Sequence, residues 1–201
     1  MIEPIKKYGK VLADKTIQAL SNRGWECYYT ETKEECKKLV LELIAESGFK
    51  KIGIPGSTTV RQINLVESLT SQGYEVIQHW LPLSAEEKAK VIVEETRADV
   101  FIHSPNALSM NGEIVILDYM GNRIVGSSLG PKMLIFLAGV NKITEDLDSA
   151  VRRAWNVAAQ INAIRLGKSV DELITFCLIL FKKPIYITRG IVILINEQLG
   201  Y

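Results

Sequence analysis

The sequence predicts a single α/β domain whose sheet is mostly parallel and covered on both faces. Two observations predict it. Helical and strand-like segments alternate from end to end, and the strands at Glu113–Leu117, Met133–Leu137 and Ile191–Ile195 are near-continuous apolar runs. Strands of that kind are buried on both faces, as in a parallel sheet sandwiched by helices. No internal repeat, low-complexity stretch or linker divides the 201 residues.

The elements follow in order. Pro4–Asn22 carries apolar side chains at Ile5, Tyr8, Val11, Leu12, Ile17 and Leu20, a helical stripe that Gly24 ends. Trp25–Tyr29 reads as a short aromatic strand. Thr32 and Glu35 form a capping-box signature ahead of Leu39, Val40, Leu43 and Ile44, and this helix ends near Gly48. Lys51–Ile54 is a small strand, Pro55–Thr58 breaks it, a helix is expected over Thr59–Ser71, and a strand follows at Tyr74–Gln78. Ser84 and Glu87 form a second capping box, opening a helix that runs to Thr96. Asp99–His103 is a strand, and Ser104–Gly112 a polar loop ending in an Asn111-Gly112 turn signal. After Glu113–Leu117, a glycine-punctuated stretch leads through Gly130 to Met133–Leu137. Asp146–Leu166 is the longest helix, with Leu147, Val151, Ala154, Trp155, Ala158, Ile161 and Ile164 on its apolar face. Two apolar runs flank Lys182-Lys183-Pro184. Residues 1–48 thus supply N-terminal helices and a short strand, 49–170 the α/β core, and 171–201 the C-terminal strands.

Composition removes several function classes. Apolar residues make up 47% and charged residues 23%, and 24 Lys and Arg against 23 Asp and Glu leave a formal charge of +1. So neutral a chain lacks the electrostatic footprint of a nucleic-acid or anionic-membrane binder. Its longest apolar runs, Leu173–Phe181 and Met133–Val140, are about half a membrane span. The opening MIEPIKKYGK has no apolar signal core, so the expected location is the cytoplasm. Cys27, Cys36 and Cys177 contain no Cys-x-x-Cys pair, and His79 and His103 have no partner at ligand spacing. No disulfide framework, metal site or cofactor is expected, and both histidines are expected to be structural.

Ligands of open α/β sheets bind beyond the carboxyl ends of strands. Three loops occupy such positions. In IGIPGSTTVRQ, residues 52–62, Gly56, Ser57, Thr58 and Thr59 offer backbone N–H groups, three hydroxyls and a helix start, the makings of an anion site. Gly56 would let the backbone approach a ligand closely. The spacing is neither that of a phosphate-binding P-loop nor that of a dinucleotide fingerprint, and the simpler reading is N-capping by Ser57 or Thr58. In LDYMGNRIVGSSLGPK, residues 117–132, Asp118 follows an apolar strand, with Asn122 and Arg123 within reach. Arg123 would be a planar fork for a carboxylate or phosphate and Asp118 an acid, base or polar contact, or the two simply pair. The third loop contributes Ser104 and Asn106 as ligand contacts.

Taken in order, GSTT at 56–59, ADVFIHSPNALSMNGEIVILDYMGNR at 98–123, GPKMLIFLAGVNKITEDLDSAVRR at 130–153, Asn162–Leu166 and INEQLGY at 195–201 resemble the LUD family, named for lactate utilisation, which includes lactate-utilisation protein C. The resemblance spans nearly the whole chain. It implies a Rossmann-like three-layer sandwich of the type shared by ribose-phosphate isomerases, glucosamine-phosphate deaminases and CoA transferases. GSTT is then similar to their phosphate-holding loop, and Asp118 to their strand-end carboxylate. Relatives commonly have Thr or Ser where this chain has His103. Many also carry a cysteine-rich insert where it has the shorter TFCLILFKKPIYITRG, with Cys177 alone. An iron–sulfur or other redox role is therefore not implied here.

The leading expectation is a cytoplasmic protein that binds a small anionic metabolite in organic-acid metabolism. Gly56, Ser57, Thr58, Thr59, Ser104, Asn106, Asn122 and Arg123 would contact the ligand, and Asp118 would be the catalytic candidate. Two alternatives stay open: an enzyme of the isomerase or acyl-CoA-transfer type, and a non-catalytic subunit of an iron–sulfur or flavin lactate-oxidising complex. The apolar run Leu173–Phe181 would suit a homo-oligomer contact.

Overall fold

The computed structural model describes residues 2–201. Among the described residues, ten strands form two sheets: β1 (Glu26–Thr30), β2 (Lys51–Gly53), β3 (Glu75–Ile77), β4 (Val100–His103), β5 (Ala107–Ser109), β6 (Ile114–Asp118), β7 (Met133–Gly139), β8 (Ile143–Thr144), β9 (Phe176–Leu180) and β10 (Arg189–Ile195). The larger sheet has the order β1-β10-β7-β4-β2-β3 and every pairing in it is parallel. The smaller, β8-β5-β6-β9, is mixed, with β6 antiparallel to both β5 and β9.

The helices are α1 (Glu3–Ser21), α2 (Lys33–Ser47), α3 (Thr58–Gln62), α4 (Leu65–Ser71), α5 (Ala85–Thr96), α6 (Asn122–Ser128), α7 (Leu147–Arg153) and α8 (Gln160–Leu166), the last two joined by a π-helical segment over Ala154–Ala159. Side-chain alternation along the parallel strands decides the layers. Val100, Ile102, Ile135, Leu137, Ile191 and Ile193 face α2, α3 and α4. Phe101, Leu134, Phe136, Val192 and Leu194 face α1 and the smaller sheet through Leu108, Ile114 and Ile116. The far side of the smaller sheet, Ala107, Val115 and Leu117, is covered by Ala150, Ala154 and Ala159 of the long helix. The predicted α/β class and Rossmann-like sandwich are therefore present, with the smaller sheet as an added layer that the sequence did not reveal.

Local chemistry explains most elements. Thr32 accepts from Glu35 N–H at the start of α2, and Ser84 and Glu87 close a reciprocal capping box at α5. Four expectations need correction. The helix expected over Thr59–Ser71 is two short helices, because Asn64 turns into the left-handed region at φ 54°. The polar loop Ser104–Gly112 contains β5, which pairs with β6 across the Asn111-Gly112 turn. The stretch after Asp118 contains α6.

The fourth concerns helix faces. Helix α1 buries Gly9, Ala13, Thr16 and Leu20 and leaves Ile5, Tyr8 and Val11 exposed. Small residues let it lie close to the sheet, with the Gly9 Cα against Asn196 and Val140. In the long helix, Ile161 and Ile164 are 41% and 80% exposed and Trp155 is only half-buried. A π turn adds a residue to the repeat and rotates everything after it, so the buried series runs Ala150, Ala154, Ala158, Ala159 and Ala163. The two C-terminal strands lie in different sheets: β9 is an edge strand of the smaller sheet, while β10 lies inside the larger one between β1 and β7.

Candidate functional site

The carboxyl ends of β2, β3, β4, β7 and β10 open on one side of the parallel sheet, and a cavity of about 550 Å³ lies over them. Gly56, Ser57, Thr58, Thr59, Ser104, Asn106, Asp118, Asn122 and Arg123 all line it. The structure thus brings every site residue read from the sequence to one place, although they come from three separate loops.

Several of these residues are engaged with one another. Ser57 Oγ accepts from Val60 N–H and caps α3, the simpler of the two readings. With α3 only 5 residues long, the expected helix-start contribution to anion binding is corrected to a single short turn. Thr58 Oγ1 donates to Tyr201 Oη at 3.1 Å. The space above Gly56 belongs to Trp80 rather than to a ligand, since a Cβ on Gly56 would sit 2.6 Å from the indole Cε2. Asn106 Oδ1 accepts from Leu117 N–H at 2.8 Å, which ties the third loop to β6. Asp118 is 4% exposed and pairs with Arg123: Nε donates to Oδ1 and the backbone N–H of Arg123 to Oδ2, both at 3.1 Å. Arg123 also donates from Nη2 to the Leu117 carbonyl. The pairing alternative describes these two, so the guanidinium enters the cavity already oriented by a carboxylate.

The sequence reading missed the group at the centre. Lys142, in the 3₁₀ turn after β7, is 3% exposed and lines the cavity. Its Nζ lies 2.7 Å from Ser104 Oγ, 3.1 Å from Thr59 Oγ1 and 3.2 Å from the Pro105 carbonyl. All three partners are uncharged. Burial pushes the Lys142 ammonium well below the usual lysine range, and the positive charges of Arg153 and Arg123 push it the same way. Gly200 closes over this cluster with φ 60°; a Cβ there would overlap Thr59 Oγ1 and lie 3.1 Å from Lys142 Nζ, so this position requires glycine on both counts.

The two histidines part company. His103 is fully buried, packed edge-on against Phe101 and Phe136, with Nε2 2.7 Å from Ser127 Oγ. It is a packing residue, as expected. His79 instead lines the cavity. Its Nδ1 lies 2.6 Å from Glu95 Oε1, and Glu95 Oε2 accepts from Asn122 Nδ2 at 3.0 Å. Helix α5 therefore supplies a buried carboxylate that fixes both rings of contact, one on His79 and one on Asn122.

At the rim, Trp80 lies between two guanidinium groups, with Arg61 4.4 Å and Arg165 5.2 Å from its ring centroid. Arg165 Nε donates to Tyr201 Oη at 2.7 Å, and Tyr201 in turn donates to Asn162 Oδ1 at 3.2 Å. Asn162 and Arg165 face the cavity because of the π turn that exposes Ile161 and Ile164. The family resemblance includes Asn162–Leu166, but helical periodicity gives no sign that these side chains line a cavity. Altogether the lining contains five basic side chains, Lys88, Arg123, Lys142, Arg165 and Lys168, and one acidic side chain, Asp118. No group of three or more His, Cys, Asp or Glu side chains placed to hold a metal ion occurs among the described residues, and no helix among them is long and apolar enough to cross a membrane.

An all-parallel sheet with a cavity lined by basic side chains at its carboxyl edge defines a Rossmann-like protein. The family model described as the LUD domain matches residues 13–193, and the chain belongs to that family. A crystal structure of a DUF162 family protein from Deinococcus radiodurans superposes with a TM-score of 0.58 at 14% identity, covering 94% of this chain and 98% of that one. At that identity the likeness shows the shared fold. No curated protein matches the sequence.

Proposed function

We propose that the cleft binds a small anionic metabolite, a carboxylate or phosphate of the kind handled in organic-acid metabolism, the role for which the LUD family is named. One observation carries this reading: five basic side chains and one acidic side chain line the cavity of a protein whose formal charge is only +1. The one carboxylate among the lining side chains is already paired with Arg123, so the charges of Lys88, Arg165 and Lys168 have no carboxylate partner in the lining. In a confined site such charge attracts an anion more strongly than it would in bulk water. The hydroxyls of Thr58, Thr59 and Ser104 supply neutral contacts that orient the ligand.

A thermal-shift series tests the reading with lactate, pyruvate, a sugar phosphate and chloride at matched ionic strength. Stabilisation by at least one organic anion, absent with chloride and lost in Arg165→Ala, is the expected result. Equal, small shifts for every salt would overturn it.

A second reading, an enzyme of the isomerase type, is favoured by the His79–Glu95 pair on the cavity wall. A carboxylate that holds Nδ1 leaves Nε2 as the other exchangeable site of the ring, the arrangement of a general base. In D₂O, deuterium incorporation into the C–H next to the carbonyl of a bound sugar phosphate, lost in His79→Gln, would support it. No incorporation would remove it.

A further inference from the structure

Lys142 does more than the anion reading requires. A lysine whose task is to hold charge is ordinarily solvated or paired with a carboxylate, because burying an ammonium is costly. Lys142 is 3% exposed, and its three contacts are two hydroxyls and a carbonyl. The charged groups acting on it, Arg153 and Arg123, are both cations. Those three contacts suit an uncharged amine as well as an ammonium. An amine has two N–H donors and one lone pair, so it can donate to the Pro105 carbonyl and one hydroxyl and accept from the other hydroxyl. A buried, carboxylate-free lysine held by hydroxyls inside a ligand cavity has the environment of an amine nucleophile.

We propose that Lys142 is a reactive amine, its Nζ condensing with the carbonyl carbon of a small 2-oxo carboxylate bound in the cleft. The inference rests on the anion reading for the ligand's carboxylate. The Nζ lone pair forms the C–N bond as the carbonyl π pair moves onto oxygen, and a proton passes from nitrogen to that oxygen to give a carbinolamine. The carbinolamine hydroxyl then takes up a second proton and leaves as water as the nitrogen lone pair forms C=N, and the remaining N–H proton is released from nitrogen to replace the one taken up. Amine and carbonyl are converted to imine and water with no change of oxidation state. The hydroxyls of Ser104 and Thr59, both within hydrogen-bond distance of Nζ, are placed to pass the protons.

Trapping tests this directly. The full-length protein is incubated at neutral pH with pyruvate or glyoxylate, sodium borohydride is added to reduce any imine to a stable secondary amine, and the adduct is located by peptide mass mapping. The expected result is one adduct per chain, on the peptide containing Lys142, and none after incubation with lactate, which has no carbonyl. Lys142→Met, checked for folding by circular dichroism, should lose that adduct. Adducts spread over exposed lysines with Lys142 unmodified would overturn the inference, even if the variant fails to fold, because the wild-type map decides alone. Thermal shifts with lactate separate the two readings: stabilisation without a Lys142 adduct leaves anion binding intact and removes only the amine chemistry.

Discussion

His79 Nδ1 and Glu95 Oε1 lie 2.6 Å apart with both side chains buried, and the second oxygen of the same carboxylate holds Asn122. One glutamate of α5 thereby joins the loop after β3 to the start of α6, two walls of the cavity. Glu95→Ala should leave both partners unsatisfied in a buried position and destabilise the fold by about 2–3 kcal/mol. Glu95→Gln, which keeps an acceptor for one partner, should lose less. Urea midpoints of the two variants check the order, and equal losses would show that the effect is packing alone.

The Asp118–Arg123 pair is a mostly buried ion pair, with side chains 5% and 20% exposed. Removing only the guanidinium strands a carboxylate, so Arg123→Ala should destabilise by about 3 kcal/mol. The double variant Asp118→Asn/Arg123→Ala should recover most of that loss. A double variant no more stable than the single one would mean that Arg123 acts through its bond to the Leu117 carbonyl rather than through the pair.

Gly56 lies beneath the Trp80 indole, the ring flanked by Arg61 and Arg165. In Gly56→Ala the ring must move, at about 1–3 kcal/mol, and the guanidinium groups lose their common support. Intrinsic tryptophan fluorescence should shift, and stabilisation by organic anions should fall together with it. An unchanged spectrum with an unchanged ligand response would show that the indole is not held at this glycine.

His103 predicts a pH dependence. Burial first, then the charge of Arg123, pushes its imidazole well below the usual histidine value of 6.5, while the Ser104 carbonyl opposes the shift. The folded state therefore keeps the ring neutral where the unfolded chain would protonate it. The stability this contributes is present above the unfolded value and is lost as pH falls below 6.5 toward the depressed folded value, at up to about 1.4 kcal/mol per pH unit. Between pH 7 and 5 the melting temperature of the wild type should fall more steeply than that of His103→Gln, which keeps a partner for Ser127. Parallel curves would contradict the assignment.

The sequence by itself determined the features that local chemistry controls. The helix starts at Thr32 and Ser84, the fully apolar runs that become β6, β7 and β10, and the polar residues at strand ends all follow from neighbours a few positions away. That is why Gly56–Thr59, Ser104, Asp118 and Arg123 were found, and why strand-end position alone placed them on one cleft. Tertiary structure decided the rest. Nothing local reveals that β10 enters between β1 and β7, that a π turn swings Arg165 inward and Ile164 outward, or that small residues make the buried face of α1. Lys142 is the clearest case. A single lysine in a polar turn reads as solvated, and only the closing of Gly200 and Ser104 around it, from chain positions 58 residues after and 38 residues before, removes it from water and makes it chemically distinct. Propensity acts over a few residues, whereas burial is set by contacts from the whole chain, and burial is what pushes Lys142 and His103 toward their neutral forms.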